Sequence, residues 1–166
     1  LVMAEPAADT RQVLIERIFV KDASLEVPLR AEIFTRNATP AIDVQVGTGI
    51  NKLTDEHWQV LLSITVTAKV ENDVAFLCEV HQGGIFRVTG FPQGPELQGL
   101  LAVYCPNVIF PFAREAVASF IQHAGFPPVI LQPIDFNALY AEHLRSQVQG
   151  GGAAQAAKGD GPRIIV

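Results

Sequence analysis

Charge is scarce in this chain. Only 17% of its 166 residues are charged, against about 25% in an average soluble domain. What charge there is sums to −5, and no basic stripe runs along the sequence, which argues against nucleic acid as a partner. Cysteine is scarcer still. Cys78 and Cys105 are the only two, too few for a disulfide framework or a zinc set. Cys78 sits among apolar neighbours and reads as a buried thiol, and both facts fit a reducing cytoplasm. The histidines, His57, His81, His123 and His143, form no HxH or HxxxH pair. Gly83-Gly84 and Gly150–Gly152 match neither GxxxxGK(S/T) nor GxGxxG, so no phosphate loop is expected. The expectation is no catalytic residue, no metal and no cofactor.

Two more absences concern membranes. The first ten residues hold no basic n-region and no apolar h-region, so no signal peptide is expected. Leu1 and Val2 ahead of Met3 read as an appended remnant. From Leu97 to Ile134 the only charges are Arg114 and Glu115. That stretch is broken by Pro106, Pro111, Gly125, Pro127, Pro128 and Pro133, so no apolar run is expected to reach the ~20 residues of a spanning helix.

Apolar residues make up 49% of the chain. So much apolar surface beside so little chemistry implies assembly or binding. The length fits one domain, residues 11–149. Residues 1–10 and 150–166 are polar, alanine-rich or glycine-rich and read as disordered tails.

Val13–Val27 is rich in branched and aromatic residues and predicts a strand. Pro28–Pro40 reads as a crossover loop that carries Ile33 and Phe34. Ala41–Leu53 alternates, with Ile42, Val44, Val46 and Ile50 on one face, and Trp58–Val70 alternates more cleanly still. Val74–Thr89 turns Val74, Phe76, Cys78, Val80, Phe86 and Val88 inward, and Gly83-Gly84 marks a bulge or a close backbone approach. Short polar turns at Thr54–Glu56 and Glu71–Asp73 predict antiparallel hairpins. Beyond Gly90 the period changes. Glu96–Tyr104 reads as a short helical piece ended by Cys105-Pro106, and Asn107 as the cap of a helix reaching Ala124. Asp135 reads as the cap of a last helix with the stripe Phe136, Leu139, Tyr140, His143 and Leu144. Strands first and helices after predict an α+β fold: a four-stranded antiparallel sheet with C-terminal helices on one face.

Asp22, Ser24 and Glu26 lie two apart, so on a strand they share a face at steps of about 6.6–7 Å. Glu79, flanked on its face by Leu77 and His81, adds a third carboxylate where the strands lie close. From these residues alone the cluster is either a solvated sheet face or an acidic docking patch centred on Leu77.

Longer segments are more specific. They are I-F-V-K-D-A-S-L-E-V-P at Ile18–Pro28, I-T-V-T-A at Ile64–Ala68, A-F-L-C-E-V-H-Q-G-G-I-F at Ala75–Phe86, Y-C-P-N-V-I-F-P-F-A-R-E at Tyr104–Glu115, and F-P-P-V-I-L-Q-P-I-D-F-N-A-L-Y at Phe126–Tyr140. In this order, and across about residues 13–147, the sequence resembles SecB, the bacterial protein-export chaperone family. The resemblance implies a cytoplasmic homotetramer, a dimer of dimers, with helices packed between the dimers. It implies no nucleotide, no chemistry and no membrane insertion. The implied function is to hold unfolded secretory preproteins and pass them to the SecA motor, whose basic zinc-containing tail would dock on Asp22, Glu26, Leu77 and Glu79. It further implicates Phe76, Cys78, Val80 and Gln82 in client binding or assembly. Ile33, Phe34, Leu139 and Tyr140 would wall a client groove. The chain departs from some relatives at Ala38, where they carry a tryptophan, and in a C-terminal tail without acidic character. Other readings of the same residues are a small-ligand-binding oligomer, an enzyme built on Cys105 and a histidine, and a SecB-like chaperone dedicated to one client such as a toxin–antitoxin pair.

Overall fold

Alternation of apolar and polar residues dictates four long strands. In the computed structural model, which describes residues 10–28, 31–149 and 163–165, these are β1 (Gln12–Glu26), β2 (Ala41–Lys52), β3 (His57–Val70) and β4 (Asp73–Thr89). β2, β3 and β4 pair as successive antiparallel neighbours, and β1 returns to pair antiparallel with β4. The crossover from β1 to β2 holds a 3-10 turn, Ala31–Thr35, with Ile33 buried. A fifth strand, β5 (Arg163–Ile165), adds to β2 beside Asp43–Gln45, giving the order β1-β4-β3-β2-β5. The expectation of a tail without structure over 150–166 therefore fails at these three residues, where adjacent isoleucines favour a strand. The remainder of that tail, and residues 1–9, lie outside the described residues.

One face of the sheet is apolar and carries the helices. Val44 and Val46 of β2, the even-numbered residues Val60–Val70 of β3, and Phe76, Cys78, Val80, Gln82, Phe86 and Val88 of β4 are all buried. Against them lies a rod made of α1 (Pro95–Gly99), a π-helical turn (Leu100–Tyr104) and α2 (Cys105–His123). The sequence predicts a break at Cys105-Pro106 and a cap at Asn107; the structure has neither. Pro106 has no N–H and in a regular α-helix its ring would strike the carbonyl four residues back. The wider turn avoids this: the Cys105 N–H bonds the Leu100 carbonyl, five residues back. Asn107 is inside the helix, and its side-chain amide donates to the Val103 carbonyl at 2.9 Å. Pro111 is likewise internal, on the exposed side. The rod of 29 residues is thus long and apolar enough to cross a membrane by length and composition, with 44% of its most apolar window buried inside the fold. The proline count was the wrong ground for ruling out such a helix.

α3 (Phe136–Gln149) begins as predicted. The Asp135 carboxylate accepts from the Ala138 N–H at 3.0 Å. Its stripe is used only at the start: Phe136 is buried, Leu139 and Tyr140 are half-buried, and His143 and Leu144 are exposed.

Candidate functional site

The acidic cluster is assembled by strand register. β1 and β4 place Glu26 opposite Leu77, Ser24 opposite Glu79, and Asp22 opposite His81. Directly opposed residues in an antiparallel pair point to the same side, with Cβ atoms ~4.5–5.5 Å apart. Asp22, Glu26, Leu77 and Glu79 therefore share one patch on the sheet face away from the helices. Asp22 and Glu26 are exposed; Leu77 and Glu79 are half-buried. β1 carries an extra residue at two points, between Ile15 and Arg17 and between Val20 and Asp22. Both irregularities precede the patch, so the spacing of Asp22, Ser24 and Glu26 stays regular.

Sequence reasoning did not find the network beneath the patch. β3 sets Ser63 opposite His81. The Ser63 Oγ lies 2.9 Å from His81 Nδ1, and His81 Nε2 lies 2.6 Å from Glu79 Oε1. Among the described residues Asp22 and Glu26 have no ion-pair partner, whereas Glu16, further along the same face, meets both His57 and Arg87.

The helix side offers a different surface. Phe34, in the crossover turn and 52% exposed, lies 5.1 Å from the Phe126 ring, which lies 4.9 Å from Phe76. These tilted rings form a ladder from solvent to the core. Gly125 lets Phe34 in: its φ of 87° suits glycine, and a Cβ there would sit 3.1 Å from the Phe34 ring. Phe126 is the member that sequence reasoning missed, since it lies in a proline-rich loop with no period to mark it. Leu139 and Tyr140 sit half-buried on α3, which packs near the Leu100–Tyr104 turn. Among the described residues no ring contact joins Tyr140 to the ladder. Cys78, Val80 and Gln82 are buried in the apolar sheet face. Gln82 Oε1 and Arg114 Nε, both buried, lack a hydrogen-bond partner among the described residues.

Burial pushes the Cys105 thiol up to about 12 and the Cys78 thiol up to about 11. A nucleophilic cysteine needs the opposite shift. Among the described residues no group of three or more His, Cys, Asp or Glu side chains could hold a metal ion.

These features define a class: a small α+β protein with an acidic sheet face on one side and an aromatic ladder reaching solvent on the other. The model of the family described as preprotein translocase subunit SecB matches residues 6–147. The protein-export protein SecB of Chromobacterium violaceum is 48% identical over 139 residues, covering 84% of this chain and 92% of that protein. Its counterpart in Neisseria gonorrhoeae is 47% identical over 137 residues, covering 82% and 92%. Among solved structures, the Mycobacterium tuberculosis Rv1957 SecB-like chaperone in complex with a ChAD peptide from the Rv1956 HigA1 antitoxin shares the fold. Its TM-score is 0.55 at 16% identity, over 74% of this chain and 87% of that one. The chain belongs to the SecB family.

Proposed function

We propose that this protein is a cytoplasmic, ATP-independent chaperone that holds unfolded secretory preproteins and delivers them to SecA. The observation that carries the reading is the ladder Phe34–Phe126–Phe76, which opens to solvent on the opposite side of the sheet from the acidic patch. Apolar burial is non-directional, so an aromatic groove accepts many sequences. With the two surfaces back to back, one subunit holds a client and meets a basic partner at once. The acidic set Asp22, Glu26 and Glu79 around Leu77 is the docking face for the SecA tail. Its presence favours general export over service to a single client. A homotetramer fits the remaining surface. β1 is an edge strand with Leu14, Ile15 and Val20 exposed, and the helical rod exposes Tyr104 and Phe112. Partner copies would cover these residues.

The test is suppression of aggregation of an unfolded secretory precursor, with and without the SecA tail. The expected result is suppression without ATP. In Asp22→Lys, holding stays intact and tail binding falls by about tenfold or more, since reversing one charge in a set of weak exposed pairs disturbs several of them. A variant that binds the tail as tightly as wild type removes the docking assignment. Failure to suppress aggregation removes the chaperone assignment.

A further inference from the structure

The three carboxylates of the docking face are not equivalent. Among the described residues Asp22 and Glu26 stand without an ion-pair partner, but Glu79 is already occupied by His81, at 2.6 Å. We propose that His81, steadied by Ser63, is a positioning residue and a built-in competitor for Glu79: it holds the carboxylate in place for docking, and on gaining a proton it withholds it. The proposal rests on the docking reading of this face.

Hydrogen-bond chemistry fixes how the network works in both protonation states. An ionised Glu79 only accepts, so His81 Nε2 carries a hydrogen and donates to it. The neutral ring then has a lone pair at Nδ1, which accepts from the Ser63 hydroxyl 2.9 Å away. When a second proton arrives at Nδ1, Ser63 rotates its hydroxyl and accepts instead. The geometry persists while the ring gains a full positive charge. A serine suits this place because a hydroxyl both donates and accepts.

The groups facing His81 come from three strands. Asp22 of β1 is opposite it, Ser63 of β3 is opposite it on the other side, and Glu79 precedes it on β4. Further along the same sheet face lie Glu26 and Lys69 toward one end, and Arg17, Glu16, His57 and Arg87 toward the other; Lys21 sits at the irregularity before Asp22. The contrast with Glu16 is informative. Glu16 is met by Arg87 as well as a histidine, and arginine keeps its charge at every relevant pH. Among the described residues Glu79 has only an imidazole, which can gain or lose its charge. With the ring neutral the patch carries three negative charges and His81 is a donor that a lysine or arginine of the partner displaces. With the ring protonated the imidazolium cancels one charge and competes as an ion. Docking therefore weakens as pH falls.

The test is titration calorimetry of the SecA C-terminal tail peptide against the full-length protein at pH 7.5 and 5.8 and constant ionic strength. Wild type, His81→Gln, His81→Lys, His57→Gln and Asp22→Lys are compared. Glutamine keeps a donor and an acceptor but does not titrate. The expected result is a wild-type affinity about three- to fivefold weaker at pH 5.8, in line with the loss of one weak exposed charge contact. His81→Gln removes most of that drop, His57→Gln keeps it, and His81→Lys binds weakly at both values. Effects of low pH on the peptide itself are common to all variants and cancel in the comparison. Parallel pH profiles for wild type and His81→Gln, or tight binding by His81→Lys, overturn the clasp while leaving docking intact if Asp22→Lys still weakens binding by about tenfold or more. No binding by wild type at pH 7.5 overturns the docking reading and the clasp with it.

Discussion

Adjacent glycines in β4 should respond unequally to the same substitution. Gly84 faces the helices, in register with Val60 and Ile18. A Cβ there would lie 2.7 Å from the Phe86 ring and 3.1 Å from Ile109 Cδ1. Phe86 and Ile109 are both 0% exposed and have nowhere to go. Forcing a methyl into such a site costs about 1–3 kcal/mol. Gly83 faces the other way, under Phe19, whose ring would be 2.6 Å from the new Cβ. Phe19 is only half-buried, so its ring can swing outward. Alanine also restricts the unfolded chain, a gain of about 0.4–1 kcal/mol that applies to both. Gly84→Ala should thus lose about 1–2 kcal/mol net, and Gly83→Ala should come out near zero. At about 2–4 °C per kcal/mol for a chain of this size, Gly84→Ala melts about 2–8 °C below wild type. Scanning calorimetry at one fixed protein concentration is the assay, because assembly makes Tm depend on concentration. Wild-type melting for Gly84→Ala, or a larger loss for Gly83→Ala, would show that the core around Phe86 and Ile109 is not packed as described.

Other perturbations reach the aromatic ladder, the last helix and the thiols. Phe126→Ala breaks both ring contacts of the ladder, each worth about 0.5–1.5 kcal/mol beyond area; binding of an unfolded client, followed by anisotropy, should weaken by about tenfold. Asp135→Ala removes the carboxylate that accepts from the Ala138 N–H, at a cost of about 0.5–2 kcal/mol, and circular dichroism should report fraying of α3. Cys78 and Cys105 should stay unreactive toward a disulfide reagent at pH 8 until urea unfolds the chain. Their folded-state values, about 11 and about 12, exceed the ordinary 9.0. The stability they contribute is therefore present below pH 9 and lost as pH rises through about 11 and about 12. Urea melts across that window measure the loss.

Strand faces were legible because a period of two is a local property. Asp22 with Glu26, and Leu77 with Glu79, can each be assigned to one side from spacing alone. Their meeting in one patch is a matter of register between β1 and β4, which spacing does not encode. The role of His81 needs two registers at once, to β1 and to β3, and so was invisible. Pro106 misled because the rule against proline in a helix assumes α-geometry, and the chain escapes it by widening one turn. Phe126 was hidden for a related reason: a loop residue is placed by what it packs on, here Phe34 and Phe76, and no local pattern foretells that.

The wide turn at Leu100–Tyr104 also bears on how the helix keeps its phase. Leu97, Leu101, Cys105, Ile109, Ala113, Val117 and Ile121 are all buried, at a strict spacing of four. In a uniform α-helix each step of four advances by about 40°, so six steps would wind the stripe about 240° away from the sheet. One extra residue absorbed in a π turn takes back about 100° of this, and the width of an apolar stripe covers much of the rest. Residue number and orientation are therefore uncoupled at this turn and nowhere else along the rod. A single-residue deletion within α2 would swing everything beyond it by about 100°. The same deletion inside the wide turn would leave α2 facing as it does now, and only the seat of Pro106 would have to be rebuilt.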